Sequence, residues 1–140
     1  MGEYDHTIDT KGRVIIPSKF RGDLGNEFVV TSGLDGCLFI YPMDEWDNFI
    51  EELKKLPGTK EGRQLQRYFM AGAGACEMDK QGRVLIPNKL RDKADLQKDV
   101  VLVGVINKIE IWSKEHWDSN NNYDDVDEIA ERMAEFGLSF

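Results

Sequence analysis

Two short stretches of this chain concentrate side chains that bind anions. Asp9-Thr-Lys-Gly-Arg-Val-Ile-Ile-Pro-Ser-Lys-Phe-Arg21 carries Lys11, Arg13, Lys19 and Arg21 against one acid, Asp9. Asp79-Lys-Gln-Gly-Arg-Val-Leu-Ile-Pro-Asn-Lys-Leu-Arg91 carries Lys80, Arg83, Lys89 and Arg91 against Asp79 alone. The two align at a constant offset of 70, and eight of their 13 positions are identical. An arginine fork matches phosphate oxygens and guanine edges with two parallel hydrogen bonds. Lysine adds diffuse attraction to the backbone of a duplex. Asp9 stands four residues before Arg13, and Asp79 four before Arg83. Such a carboxylate either grips the guanidinium or caps the turn between them. Any single Lys or Arg in the set has a bland reading as a solvated surface charge. The recurrence of the whole set favours a binding surface.

The rest of the charge runs the other way. Acids outnumber bases 26 to 18 in the 140 residues, a formal net charge of −8. From Asp118 to the end there are seven acids and one base, Arg132. Screening acts over about 8 Å at physiological salt, so a basic patch can work on an acidic protein. The polar run Asp118–Asp124 reads as a loop. The stripe Val126, Ile129, Ala130, Met133, Phe136 after it reads as an amphipathic helix with a solvated acidic face. A partner-binding tail is the other reading of that end.

Elements that would position the two stretches can be placed from pattern. Gly12 and Gly82 sit in turns that call for a positive φ. Arg-Val-Ile-Ile and Arg-Val-Leu-Ile follow as short strands. Pro17 and Pro87 end those strands and open helical turns at Ser18–Arg21 and Asn88–Arg91. Each copy continues into a hairpin, Phe28–Thr31 with Cys37–Tyr41 and Val100–Val105 with Ile109–Trp112. There the repeat resumes at an offset of 71. Trp46, Phe49, Ile50, Leu53 and Leu56 recur at helical spacing, with Asp44 as the expected cap and Glu51–Lys55 as an outer pair. The Val126–Phe136 stripe is expected to be the counterpart of this helix. Both apolar faces are expected to pack within the chain, with packing between subunits as the alternative. Arg63–Met70 reads as a linking helix. Ala71–Ala75 reads as a close strand crossing or a flexible joint. The organisation expected is residues 1–58 as a first unit, 59–75 as a link and 76–140 as a second unit.

Several classes of function find no residues to support them. His6, His116, Cys37 and Cys76 have no ligand-like spacing, so no metal or cofactor is expected. The two cysteines read as small apolar residues. No phosphate loop of the Gly-x-x-x-x-Gly-Lys type is present, and no carboxylate pair marks a catalytic dyad, so an enzyme is not expected. The longest uncharged apolar stretch, Val100–Ile106, is far short of the roughly 20 residues a membrane helix needs. The first residues lack the pattern of a signal peptide, and a cytosolic location is expected.

The doubled Asp-x-x-Gly-Arg-Val-x-Ile-Pro motif resembles the AbrB-like swapped-hairpin fold. Two copies in a chain of this length, with Trp46 and Trp117 after the hairpins, resemble the MraZ family of bacterial regulators over nearly the whole sequence. The resemblance implies an α+β fold of duplicated swapped-hairpin β-barrel units with peripheral helices, related by a pseudo-twofold within one chain. It implies a transcriptional regulator, a repressor by expectation, acting on the nucleoid. The implied target is double-stranded DNA: short direct repeats in the promoter of the division and cell-wall gene cluster, which includes the regulator's own gene. A ring-shaped homo-oligomer is implied as well. Carried onto matching positions, it assigns DNA contact to Arg13 and Arg83, supported by Asp9, Asp79, Gly12 and Gly82. Lys11, Lys80, Lys19, Lys89, Arg21 and Arg91 are secondary contacts. The second copy departs from the pattern at Gln81, where the family places Lys, and Lys80 stands one residue earlier. An antitoxin-like module of the same fold, neutralising a partner protein, is the competing function.

Overall fold

A computed structural model describes residues 1–139. In chain order the elements are β1 (Glu3–Thr7), β2 (Arg13–Ile15), α1 (Ser18–Leu24), β3 (Glu27–Ser32), β4 (Leu38–Pro42), α2 (Met43–Lys54) and α3 (Lys60–Ala71). The second half follows with β5 (Gly74–Glu77), β6 (Arg83–Leu85), α4 (Asn88–Lys93), β7 (Asp99–Val105), β8 (Lys108–Ser113), α5 (Lys114–Asn120) and α6 (Val126–Met133). A 3-10 turn at Ala134–Phe136 extends α6.

The fold is α+β and its sheets are antiparallel. One sheet has six strands in the order β1-β7-β8-β4-β3-β5, and β2 and β6 form a separate two-stranded ribbon. Exchanging each strand for its repeat partner (β1 with β5, β3 with β7, β4 with β8) reverses this order and leaves it unchanged. The copies also trade strands. β1 pairs with β7 of the second half, and β5 pairs with β3 of the first. The expected closed barrel is not formed by the described strands. At Asp9 and Asp79 the chain turns out of the sheet, so β2 and β6 pair with each other instead of sealing the edges. Among the described residues one isolated bridge, Ile8–Val14, pairs backbone between the end of β1 and the ribbon.

Side chains alternate across the six-stranded sheet with period two. One face presents Phe28, Val30, Leu38, Ile40, Leu102 and Ile111 to the ribbon valines Val14 and Val84 and to Phe20 and Leu90 of α1 and α4. The opposite face presents Val29, Phe39, Tyr41, Val101 and Trp112 to Trp46 and Leu53 of α2, Phe69 of α3 and Trp117 of α5. Buried Thr31 donates its hydroxyl to the Phe69 carbonyl at 2.8 Å, tying α3 to the sheet.

Several local expectations change. Pro17 and Pro87 cap their helices from outside rather than opening them. Asp44 lies inside the first turn of α2, where Pro42 is the cap. Glu51 pairs with Lys54 at 2.8 Å, and Lys55 turns instead to Glu52 at 2.9 Å. Asp118–Asn120 is helical, because Ser113 caps α5 by accepting the His116 N–H at 3.1 Å. That makes α5, with buried Trp117, the element standing where α2 stands in the first copy. α6 is an addition, and its Val126, Ile129, Met133 and Phe136 stripe is exposed instead of packed within the chain. Ala71–Ala75 leads into a paired strand, with Gly72 close against the Ser32 side chain. Cys37 is buried and Cys76 half-buried, and burial pushes both thiols up from their ordinary range.

Candidate nucleic-acid interface

The β2–β6 ribbon is where the repeated motifs meet. Its register sets Arg13 opposite Leu85, Val14 opposite Val84 and Ile15 opposite Arg83. Opposed residues share a face, and neighbours along a strand alternate. Val14 and Val84 are therefore the inward pair, both 0% exposed. The outward face carries Arg13, Ile15, Arg83 and Leu85. Ile15 is 43% exposed and Leu85 56%. The two arginines occupy diagonal corners of this square, about 7–8 Å apart by strand geometry.

Each arginine is held by its aspartate in the same way. Asp9 Oδ1 accepts the Lys11 and Arg13 backbone N–H groups, each at 2.9 Å. Asp9 Oδ2 accepts Arg13 Nε–H at 2.7 Å. In the second copy Asp79 Oδ1 accepts from the Gln81 and Arg83 N–H groups at 2.9 Å, and Oδ2 from Arg83 Nε at 2.7 Å. The carboxylate thus caps the turn and orients the guanidinium at once, where the residue pattern had left those as alternatives. Because only Nε is engaged, the terminal guanidinium nitrogens remain available. The Arg13 amide first, then its guanidinium and the Lys11 amide, hold the Asp9 carboxyl below the usual carboxylate range. The Arg83 and Gln81 groups do the same for Asp79. Both carboxylates stay ionised at neutral pH, as an orienting role requires.

The tight turn needs glycine. Gly12 N–H donates to the Asp9 carbonyl at 3.0 Å and Gly82 N–H to Asp79 at 3.0 Å. Their φ values are +89° and +77°, a region L side chains rarely adopt. A guanidinium from the opposite copy also lies against each glycine, Arg91 on Gly12 and Arg21 on Gly82.

The remaining bases are distributed differently. Lys11 and Lys80 are exposed in the two turns, beside the arginines. Lys19 and Lys89 are exposed on α1 and α4. None of the four side chains forms an ion pair among the described residues. Arg21 and Arg91 are half-buried, on the glycines. Ile15 and Leu85 belong to the outward face too. The signal that separates them from Val14 and Val84 is the alternation Arg-Val-Ile and Arg-Val-Leu. Among the described residues no group of three or more His, Cys, Asp or Glu is placed to hold a metal ion. Among the same residues no helix is long and apolar enough to cross a membrane.

Two turns of the same design thus set their arginines on the outward face of a shared β-ribbon. The sequence matches the family described as MraZ protein twice, over residues 1–67 and 69–137. A transcriptional regulator MraZ from Lachnoclostridium phytofermentans is 69% identical over 140 residues, covering 100% of this chain and 99% of the relative. The protein of that name from Thermoanaerobacter pseudethanolicus is 55% identical over 141 residues, and that from Alkaliphilus metalliredigens 51% over 144, with 99% of each chain covered. The chain belongs to the MraZ family, a family of transcriptional regulators and not of enzymes.

Proposed function

We propose that this protein is a sequence-specific DNA-binding repressor that reads DNA with the outward face of the β2–β6 ribbon. The observation that carries this reading is the diagonal pair Arg13 and Arg83, each oriented by its own aspartate. A two-stranded ribbon fits the major groove, and an arginine there reads guanine O6 and N7. Ile15 and Leu85, at the other corners, suit the methyl group of thymine. Lys11 and Lys80 flank the ribbon and serve the phosphates, as do Lys19 and Lys89 from further out. The acidic C-terminal segment is repelled by the duplex, which favours approach by the ribbon side.

One ribbon makes few contacts, and few contacts bind weakly at cellular salt. Joining copies raises the effective concentration of each later contact. The reading therefore extends to a ring-shaped oligomer on short direct repeats, in the promoter of the division and cell-wall cluster that includes the regulator's own gene. In this reading residues 1–58 and 76–140 are two swapped-hairpin halves joined by 59–75, and the protein works in the cytoplasm on the nucleoid. A second reading, an antitoxin-like module that neutralises a partner protein, draws on the uncovered apolar stripe of α6. A toxin gene beside this one would favour it.

The test is a gel shift on the DNA upstream of its own gene, paired with light scattering. Arg13→Ala/Arg83→Ala is expected to lose retardation while the particle mass stays the same. Undiminished retardation by the double variant would contradict the ribbon as the reading surface.

A further inference from the structure

We infer that Arg21 and Arg91 are positioning residues that lock the arginine-bearing turn of the opposite copy. The inference rests on the ribbon as the DNA-reading face and assigns these two bases a task other than touching DNA.

The contact is made across the repeat. The Arg21 guanidinium lies on Gly82, in the turn that sets Arg83. The Arg91 guanidinium lies on Gly12, in the turn that sets Arg13. A β-carbon at either glycine would collide with the guanidinium above it. In the first copy the contact closes a chain of hydrogen bonds. Arg21 Nε–H donates to the Ile16 carbonyl at 2.9 Å, and Ile16 N–H donates to the Gly82 carbonyl at 2.8 Å. In the second copy Ile86 N–H donates to the Gly12 carbonyl at 2.9 Å, while Arg91 is fixed by Asn88 Oδ1 at 2.8 Å. Here Arg91 Nε is buried with no partner among the described residues.

The chemistry requires arginine rather than any cation. A planar guanidinium can lie flat on a bare glycine while its edge donates to a carbonyl or amide oxygen. An ammonium has neither the plane nor the fork. With the glycine pinned from above and its carbonyl held from the side, the turn cannot rotate. The Asp–Arg pair it carries then keeps one direction. Each DNA-facing arginine is thus set by the other half of the chain, so the two halves must be docked before either can read DNA.

The test uses Arg21→Lys and Arg91→Lys singly and together in the full chain, which retains every charge. Without DNA, amide spectra are expected to show a crossed pattern. Arg91→Lys shifts Lys11, Gly12, Arg13 and the Arg13 Nε–H, and Arg21→Lys shifts Gln81, Gly82, Arg83 and the Arg83 Nε–H. Shifts confined to each variant's own copy would overturn the inference, as would unmoved turns. With promoter DNA, the double variant is expected to bind about tenfold or more weakly, with an unchanged dependence on salt. Arg21→Gln/Arg91→Gln, which removes both charges, is expected to keep the native salt slope; a slope reduced by about 0.9 for each charge removed would mean that these arginines touch phosphate themselves, and would overturn it. Full affinity would overturn it too. If either single variant fails to fold, the other still reports its opposite turn. If the crossed shifts appear while Arg13→Ala/Arg83→Ala binds normally, the lock stands and the DNA reading fails.

Discussion

Asp9 and Asp79 divide their labour between two oxygens, one for the turn and one for the guanidinium. That division has a pH signature. Hydrogen bonds from the Arg13 and Arg83 amides lead the groups that depress the two carboxyls, so the unfolded chain protonates more readily than the folded one. The stabilisation is complete above the unfolded value, near 3.9 for Asp, and is lost as pH falls through the lower folded value. The difference in Tm between the native chain and Asp9→Asn/Asp79→Asn should therefore hold steady from pH 7 to about 5 and narrow below about 4. A difference constant down to pH 2 would show that these carboxylates are not the depressed groups. Cys37 offers a second check. It is buried, with its thiol pushed up, and should resist a thiol reagent at pH 8 until the chain unfolds, which mass spectrometry would read. The candidate bases and their aspartates were legible from type, spacing and repetition. The lock between Arg21 and Gly82 was not, because nothing in the spacing of one copy points to a residue 61 positions away in the other.

The ribbon owes its two faces to strict alternation. Ile15 and Ile16 are neighbours in sequence with opposite fates, Ile15 outward and Ile16 fully buried. Ile16→Ala is expected to cost about 2–5 kcal/mol, by lost burial and an unfilled cavity. Ile15→Ala is expected to stay within about 0.5 kcal/mol. Urea unfolding of the two variants would separate them, and equal costs would refute the assigned faces. The hairpins β3–β4 and β7–β8 were legible because their aliphatic runs are dense. β1 was not, since Glu3-Tyr-Asp-His-Thr has no aliphatic residue, and its pairing is supplied by β7. α6 was legible as a helix but its packing was not. An apolar stripe states that a face needs a partner, not that the partner lies in the same chain.

The molecule is built on a six-stranded sheet and a two-stranded ribbon, each shared by both halves, with α6 outside them. None of α6 is buried, so removing residues 122–140 should change the unfolding free energy by less than about 0.5 kcal/mol. A larger loss in calorimetry would mean that α6 supports the core. Cutting between the copies should have the reverse effect. Residues 1–71 alone lack β7, and β3 of a second molecule, the strand equivalent to β7, is expected to take its place beside β1. Their melting temperature should then rise with protein concentration, and a concentration-independent transition would refute this. The same strand exchange bears on how the protein is made. The pairing of β1 with β7 joins Glu3 to Val103, 100 residues later. At about 5–20 residues per second, the first strand leaves the ribosome several seconds before its mate. Throughout that interval the nascent chain carries a bare edge. Neighbouring chains on one polysome display equivalent strands, so closure within a chain competes with exchange between chains at the moment of synthesis.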